Sequence, residues 1–281
     1  MQNPMETLLK CAVVNDLSGF GRCSLTVAIP VISALGIQTC PVPTAILSNH
    51  TAYDDFYFED YTSRIRAYYE KWEHLHLQFD SIYTGFLGSE AQIALISDFI
   101  ARFQSAHTLL FVDPVMGDNG SMYATYTAEM CRGMRTLLAR ADVVTPNLTE
   151  ACLLADVPYL AAVREEDADL IYQIADKILD LGAKCAIITG VRIGNAMHNF
   201  VRSRDGERFS LSAPFVAREY CGTGDLFASL LCGYLTLGMP HREALLKTQT
   251  FLSRALEFSA AHGVDPLDGL AFEPLLKEVL L

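Results

Sequence analysis

Leu170-Ile171-Tyr172-Gln173-Ile174-Ala175-Asp176-Lys177-Ile178-Leu179-Asp180-Leu181, followed by Lys184-Cys185-Ala186-Ile187-Ile188-Thr189, is the stretch from which the fold is read. Leu170, Ile171, Ile174, Ile178 and Leu181 recur at three- and four-residue steps, which places one apolar face on a helix predicted over Glu165–Leu181. The run Cys185–Thr189 is short, apolar and β-rich, so it reads as a buried strand. A similar run, Asp142–Thr145, precedes the helix, and the order is therefore strand, helix, strand. Working outward, further strands are predicted at Leu8–Asn15, Gln38–Val42, Ser81–Thr84 and Thr108–Val112. Between them lie segments of helical period at Thr62–Glu73, Ser89–Gln104 and Ala128–Ala139. This alternation predicts an α/β fold with a central, mainly parallel sheet flanked by helices.

After Thr189 the pattern changes. Ala196–Arg202 and Glu207–Ser212, joined by Ser203-Arg204-Asp205-Gly206, read as a hairpin with a glycine-containing turn. Helices follow at Gly224–Leu237 and Arg242–Ala261, then a short C-terminal helix. No low-complexity linker or repeat divides the chain, so one domain over 1–281 is expected, with a small flap around Asn49–Asp60 where aromatic and acidic residues mix.

The composition narrows the function classes. With 51% hydrophobic and 19% charged residues, the chain has ample material for a core. A net charge of −12 argues against sequence-independent binding to nucleic acid or to an anionic membrane, since both need clustered Lys and Arg. The eight cysteines form no CxxC pair, and several sit in apolar runs, as small core residues of a reducing compartment do. The N-terminus shows no basic segment followed by an apolar one, and the other apolar runs are too short to span a bilayer. A soluble, cytoplasmic protein is expected.

The residues with chemistry stand at strand ends and loop–helix junctions. Cys221-Gly222-Thr223-Gly224-Asp225 runs into the apolar helix Leu226-Phe227-Ala228-Ser229-Leu230-Leu231. Two glycines permit a tight turn, and backbone N–H groups at the helix start form an anion cradle. Asp225 beside that cradle could take a proton from an attacking hydroxyl, which is what phosphoryl transfer requires. An Asp at a helix start is also an ordinary cap or dipole partner, and on these residues alone both readings stand.

Asp113-Pro114-Val115-Met116-Gly117-Asp118 follows the strand Thr108–Val112, at the end of the sheet where ligands of such folds bind. Asp113 could act there with Mg²⁺, directly or through water; it could equally open a turn before Pro114. Thr145-Pro146-Asn147-Leu148-Thr149-Glu150 follows the next strand, with Asn147 a good helix cap and Glu150 able to face the same crevice. The first strand ends in Asn15-Asp16-Leu17-Ser18-Gly19-Phe20-Gly21-Arg22-Cys23-Ser24, a near match to the dinucleotide fingerprint. Ser24 replaces its third glycine, and the second strand ends in Cys40-Pro41-Val42-Pro43 without the expected acid. No GxxxxGK[ST] loop occurs, so a nucleotide would be held by another route.

Taken together, Ser48-Asn49-His50-Thr51, Asp113-Pro114-Val115-Met116-Gly117-Asp118, Gly120-Ser121-Met122-Tyr123, Thr145-Pro146-Asn147, Glu150-Ala151 and Gly222-Thr223-Gly224-Asp225-Leu226-Phe227-Ala228 resemble the pyridoxal kinase family of the ribokinase-like superfamily. The likeness covers nearly the whole chain in the same order. Gly-Thr-Gly-Asp is shared across the superfamily, whereas Ser-Asn-His-Thr and the Asp-Pro-Val-Met-Gly-Asp to Met-Tyr stretch point to the vitamin B6 branch. The resemblance implies transfer of the ATP γ-phosphate to the 5′-hydroxyl of pyridoxal, pyridoxine or pyridoxamine. It implies Asp225 as base, and Gly222, Thr223 and Gly224 as anion hole. Asp113 and Glu150 would organise Mg²⁺ and phosphate. Asp118, Tyr123, Thr145, Asn147, Thr189 and Thr223 would line the ATP side. His50, Thr51 and Tyr83 would lie on the substrate side with Asp225. A homodimer is implied, and a monovalent cation such as K⁺ is left open.

The chain departs from the pattern at the first turn. Many relatives place a Ser against the pyridine ring where Asn15 stands here; Ser18 is close by, and Asn15 could itself donate to a ring hydroxyl. Within kinases the alternative is a hydroxymethylpyrimidine kinase of thiamin synthesis, which shares the base and a flat hydroxymethyl substrate. A sugar kinase fits less well, because Thr51–Tyr61 is rich in Tyr and Phe. A non-catalytic vitamer-binding protein is the alternative from another class. Cys221, next to the anion hole, reads as a small buried residue or a reactive thiol.

Overall fold

One mixed sheet of nine strands organises the computed structural model, which describes residues 8–124, 126–159, 168–216 and 218–279. Its parallel centre consists of β1 (Lys10–Phe20), β2 (Gln38–Asn49), β4 (Ser81–Thr84), β5 (Leu109–Val112), β8 (Val143–Val144) and β9 (Cys185–Ile193). Antiparallel strands close both edges: β3 (Phe58–Asp60) lies beside β2, and the hairpin β10 (Ala196–Ser203) and β11 (Arg208–Pro214) lies beside β9. The order across the sheet is β11-β10-β9-β8-β5-β4-β1-β2-β3. A separate two-stranded ribbon, β6 (Gly117–Asp118) with β7 (Ser121–Met122), stands above the end of β5.

Strand alternation sends successive side chains to opposite faces, and a separate apolar layer forms on each. Ala12, Val14, Ile82, Leu110, Val112, Val144, Ala186 and Ile188 face α2 (Thr62–His74), α3 (Glu90–Phe103), α4 (Ala128–Leu138), α5 (Leu148–Ala155) and α6 (Ala168–Asp180). Cys11, Val13, Tyr83, Phe111, Val143, Cys185 and Ile187 face α1 (Ser24–Ala34), α7 (Thr223–Thr236) and α8 (His241–Ala261). Helix α6 buries Ile171, Ile174, Ala175, Ile178 and Leu179, the face its periodicity predicts. Full burial of each large aliphatic is worth about 1.5–3 kcal/mol. The first residues of the predicted helix, 165–167, lie outside the described residues.

Three expectations are corrected. Strands β1 and β2 run well beyond Asn15 and Val42, to Phe20 and Asn49, and stay paired as far as Phe20 with Asn49. Pro41 and Pro43 look like terminators in the sequence, but both point their missing N–H to the same side, where β3 pairs only from Ala45 to Leu47. The segment Asn49–Asp60 thus returns from a strand extension and ends in β3. Helix α1 is absent from the sequence expectation because its core, Val27 to Ile32, is apolar on every side and contains Pro30, which hides the period. The predicted C-terminal helix is two 3₁₀ turns, Pro266–Asp268 and Glu273–Glu278.

Candidate active site

The parallel register places one row of residues at the carboxyl edge of the sheet. Val14 is level with Thr84, Thr84 with Val112, and Val112 with Val144. Their successors, Asn15, Gly85, Asp113 and Thr145, form the next row. Because Val14, Val112 and Val144 point into the α2–α6 layer, alternation turns this row toward the layer of α7.

Helix α7 starts against that row. Gly222 caps it in a left-handed conformation, φ 70°, and a Cβ there would lie 1.8 Å from the Arg22 carbonyl oxygen, so glycine is required. The N–H groups of Thr223, Gly224 and Asp225 open the helix and have no helical carbonyl to bond. A Cβ on Gly224 would meet nothing within 4 Å, so the turn is open on that side. The Thr223 hydroxyl is taken by the turn itself, donating to the Tyr220 carbonyl at 2.7 Å.

Asp225 is half-buried beneath this cradle. Asn15 Nδ2 donates to its Oδ1 at 3.2 Å, and the Ser24 backbone N–H donates to it as well. Burial pushes its pKa up to about 6, the negative charge of Asp16 adds to that, and the two donors oppose it. The carboxylate is therefore mostly ionised at neutral pH and can still accept a proton.

Across the crevice, Asp113 is buried at the end of β5 and accepts the Thr145 hydroxyl at 3.2 Å. Glu150 is buried in α5, where its Oε1 accepts the Met116 N–H at 3.1 Å and its Oε2 the Asn147 N–H at 2.8 Å. Burial pushes the Glu150 pKa up to about 8. Burial raises Asp113 well above the carboxylate range too, and the charges of Glu150 and Asp225 add to it. Asn147 joins β6 to α5 through Nδ2, which donates to the Gly117 carbonyl at 2.8 Å, and it pairs with Thr189 at the end of the sheet. Asp118 is exposed on β6, and Tyr123, 43% exposed, follows β7; partial burial of its phenol pushes its pKa up, and the charges of Glu150, Asp118, Asp113 and Asp225 add to this. Of the residues expected on the nucleotide side, Asp113, Thr145, Asn147, Glu150 and Thr189 thus lie together at the strand ends, with Asp118 and Tyr123 on the ribbon above them, while Thr223 is part of the α7 turn.

On the substrate side the placement differs from expectation at three residues. Tyr83 has 0% exposure and packs edge-on against Phe111, so it belongs to the core under the row and offers a ring no surface. His50 is buried, with Nε2 bonded to the Leu267 carbonyl at 2.7 Å and Nδ1 accepting the Ala52 N–H at 3.3 Å, so both ring nitrogens are used in tying the flap to the C-terminal segment. Ser18 is fully buried and donates to Asp16 Oδ2 at 3.0 Å. Thr51 is exposed on the flap. Sequence reasoning missed Asp16, Ser24 and Gly85. Only their nearness to Asn15 in a glycine-rich turn hinted at the first two; Gly85 carried no signal, because its need arises across strands.

A profile of the phosphomethylpyrimidine kinase family matches residues 28–268. The chain belongs to this kinase family. Its fold superposes on a Bacteroides thetaiotaomicron protein provisionally named phosphomethylpyrimidine kinase, with TM-score 0.94 and 37% identity over 100% of this chain and 96% of that one. A second crystal form of that protein, with pyridoxal, gives TM-score 0.92. The pyridoxal kinase of Lactobacillus plantarum is 29% identical, with TM-score 0.89 and coverage of 98% and 97%. The pyridoxal kinase of Rubrobacter xylanophilus is 27% identical over 92% of this chain and 90% of its own length. The mainly parallel sheet and flanking helices are the ribokinase-like fold of these kinases.

Proposed function

We propose that this family member transfers the γ-phosphate of ATP to the 5′-hydroxyl of pyridoxal, pyridoxine or pyridoxamine. The observation that carries the reading is Asp225: a carboxylate held at the mouth of an open helix N-terminus, with a pKa of about 6. In this reading Asp225 takes the proton of the substrate hydroxyl as its oxygen forms a bond to phosphorus and the bridge to the leaving diphosphate breaks. The N–H groups of Thr223, Gly224 and Asp225, set by the Gly222 turn, face the charge on the transferring phosphate. Asp118, Tyr123, Thr145, Asn147, Thr189 and Thr223 border the nucleotide side; of the residues expected on the other side, Thr51 alone is exposed, whereas Asn15, Ser18, His50 and Tyr83 are buried.

The crevice suits Mg²⁺. Asp113 and Glu150 are buried oxygen donors whose ionisation is opposed by burial, and a cation would relieve this. No group of three acidic, His or Cys side chains among the described residues is arranged to hold a metal alone. Asp113 and Glu150 would therefore hold Mg²⁺ together with water and phosphate oxygens. When bound, the ion supplies positive charge at the phosphate oxygens.

The B6 choice is supported by the pyridoxal kinase relatives, by the Bacteroides thetaiotaomicron crystal form with pyridoxal and by the aromatic flap. The family's own description keeps hydroxymethylpyrimidine as the second reading. The test is ATP consumption by the purified protein with the three vitamers and hydroxymethylpyrimidine offered separately, with Mg²⁺ and with or without K⁺. Turnover of a B6 vitamer is expected. Turnover of hydroxymethylpyrimidine alone moves the protein to thiamin synthesis, and binding of pyridoxal without ATP consumption makes it a binding protein. A cytoplasmic homodimer completes the proposal, with sedimentation as its check; no described helix is long and apolar enough to cross a membrane.

A further inference from the structure

We infer that Asn15 is a positioning residue for Asp225 and not a contact for the vitamer ring, and that position 85 is glycine so that Asn15 can hold this place. The inference rests on Asp225 being the base. The side-chain amide of Asn15 has one orientation available. Its Oδ1 accepts two backbone N–H groups, Asp16 at 3.0 Å and Phe86 at 3.0 Å, and so must be the carbonyl oxygen. Nδ2 is thereby turned to Asp225 Oδ1, 3.2 Å away. With 1% exposure, the residue presents almost no surface to a ligand.

Gly85, next along the row, leaves the space the amide occupies. A Cβ there would stand 2.5 Å from Asn15 Nδ2 and 2.7 Å from its Cγ, so any side chain at 85 displaces the donor. A second arm reaches Asp225 from Ser24. That residue has φ 50°, donates its N–H to Asp225, and is anchored by its hydroxyl on Asp16 Oδ1 at 2.6 Å. The groups facing Asp225 from the surrounding elements are the carboxyls of Asp16 and Asp113, the thiols of Cys23 and Cys221, and the phenols of Tyr83 and Tyr123. None is a cation. Among the described residues, the Asn15 amide and the Ser24 N–H are the donors that set the direction and charge of this carboxylate.

Asn15→Asp is the discriminating variant. It is isosteric and keeps an oxygen for the Asp16 and Phe86 N–H groups, but it replaces the donor with a second carboxylate oxygen. Turnover at pH 7 should fall at least about tenfold and recover toward pH 9, as a base that has become harder to ionise requires. The KM for pyridoxal should stay within about twofold. As a readout independent of activity, the variant's melting temperature should drop relative to wild type as pH rises from 5 to 9. Gly85→Ala should shift the acid limb of the rate profile in the same direction, and it decides the matter if Asn15→Asp does not fold. An unmoved acid limb, or a raised pyridoxal KM with normal turnover, overturns the inference. Asp225→Asn separates the two readings: inactivity there alongside an unmoved limb in Asn15→Asp sinks the positioning role alone, whereas near-normal turnover sinks the base and this inference with it.

Discussion

Asn147 and Glu150 cap one another: the Asn147 N–H donates to Glu150 Oε2 at 2.8 Å, and the Glu150 N–H donates to Asn147 Oδ1 at 2.9 Å. This reciprocal box fixes the first turn of α5. It also decides where the acidic group points, because the other oxygen of Glu150 is drawn to the Met116 N–H above β5. The capping residue and the acid proposed to hold Mg²⁺ are thus one side chain.

Glu150→Gln should therefore show two separable effects. Gln keeps one acceptor oxygen, so a stability loss of about 1–2 kcal/mol is expected from the weakened box. The Mg²⁺ concentration for half-maximal rate should rise severalfold while pyridoxal binding is unchanged. Equal losses in both, measured by Mg²⁺ titration of the rate and by vitamer binding, would falsify the assignment to the metal side.

Asp225→Asn should lower turnover by about 10²–10⁴-fold, the usual range for a general base. ATP binding should remain within a few-fold of wild type, since the N–H cradle is untouched. Single-turnover kinetics with a separate nucleotide-binding measurement checks both.

The rate should depend on pH with an acid limb near 6. Asp225 must be ionised to accept a proton, and burial holds its pKa at about 6, so below that value the rate should fall about tenfold per pH unit. The stability sign is opposite. A carboxyl with a raised folded pKa favours folding when neutral, and that contribution is lost as pH rises from 3.8 through about 6. The melting temperature of Asp225→Asn, which cannot ionise, should therefore gain on wild type between pH 4 and pH 7. A difference independent of pH removes the buried-carboxylate account.

The two glycines of the cradle should behave differently. Gly222→Ala meets a left-handed φ of 70° and the Arg22 carbonyl 1.8 Å away, so a loss of at least about 2–3 kcal/mol is expected. Gly224→Ala meets open space and should leave stability within about 1 kcal/mol. Its methyl would stand on the open face of the turn, so turnover should fall while the melting temperature holds. Thermal unfolding and kcat for the pair check this; an equal rate loss at equal stability in both would remove the open-face argument.

Much of this molecule is legible in its sequence. Period and composition locate the parallel strands, the hairpin and most helices, because each is a local balance of apolar spacing and turn residues. The Gly-Thr-Gly-Asp turn and the acids after the strands at 112 and 145 can be found because parallel topology sends every strand end to one edge. Where local signals conflict with tertiary pairing, the sequence misleads: Pro41 and Pro43 look like an end to β2 but are tolerated at an edge, and α1 has no polar face to show its period.

What the chain order could determine by itself was the fold class and the set of chemical groups, since both follow from residue type and spacing. What only the tertiary structure decided was how those groups are spent. Asn15 and Asp225 are 210 residues apart, yet the Asn15 amide donates to the Asp225 carboxylate, the contact on which the proposed positioning role rests. Tyr83 and His50, plausible ring contacts in sequence, are taken by the core and by the Leu267 carbonyl. The physical reason is that a polar side chain's role depends on which donors and acceptors remain free after folding, and long-range contacts settle that.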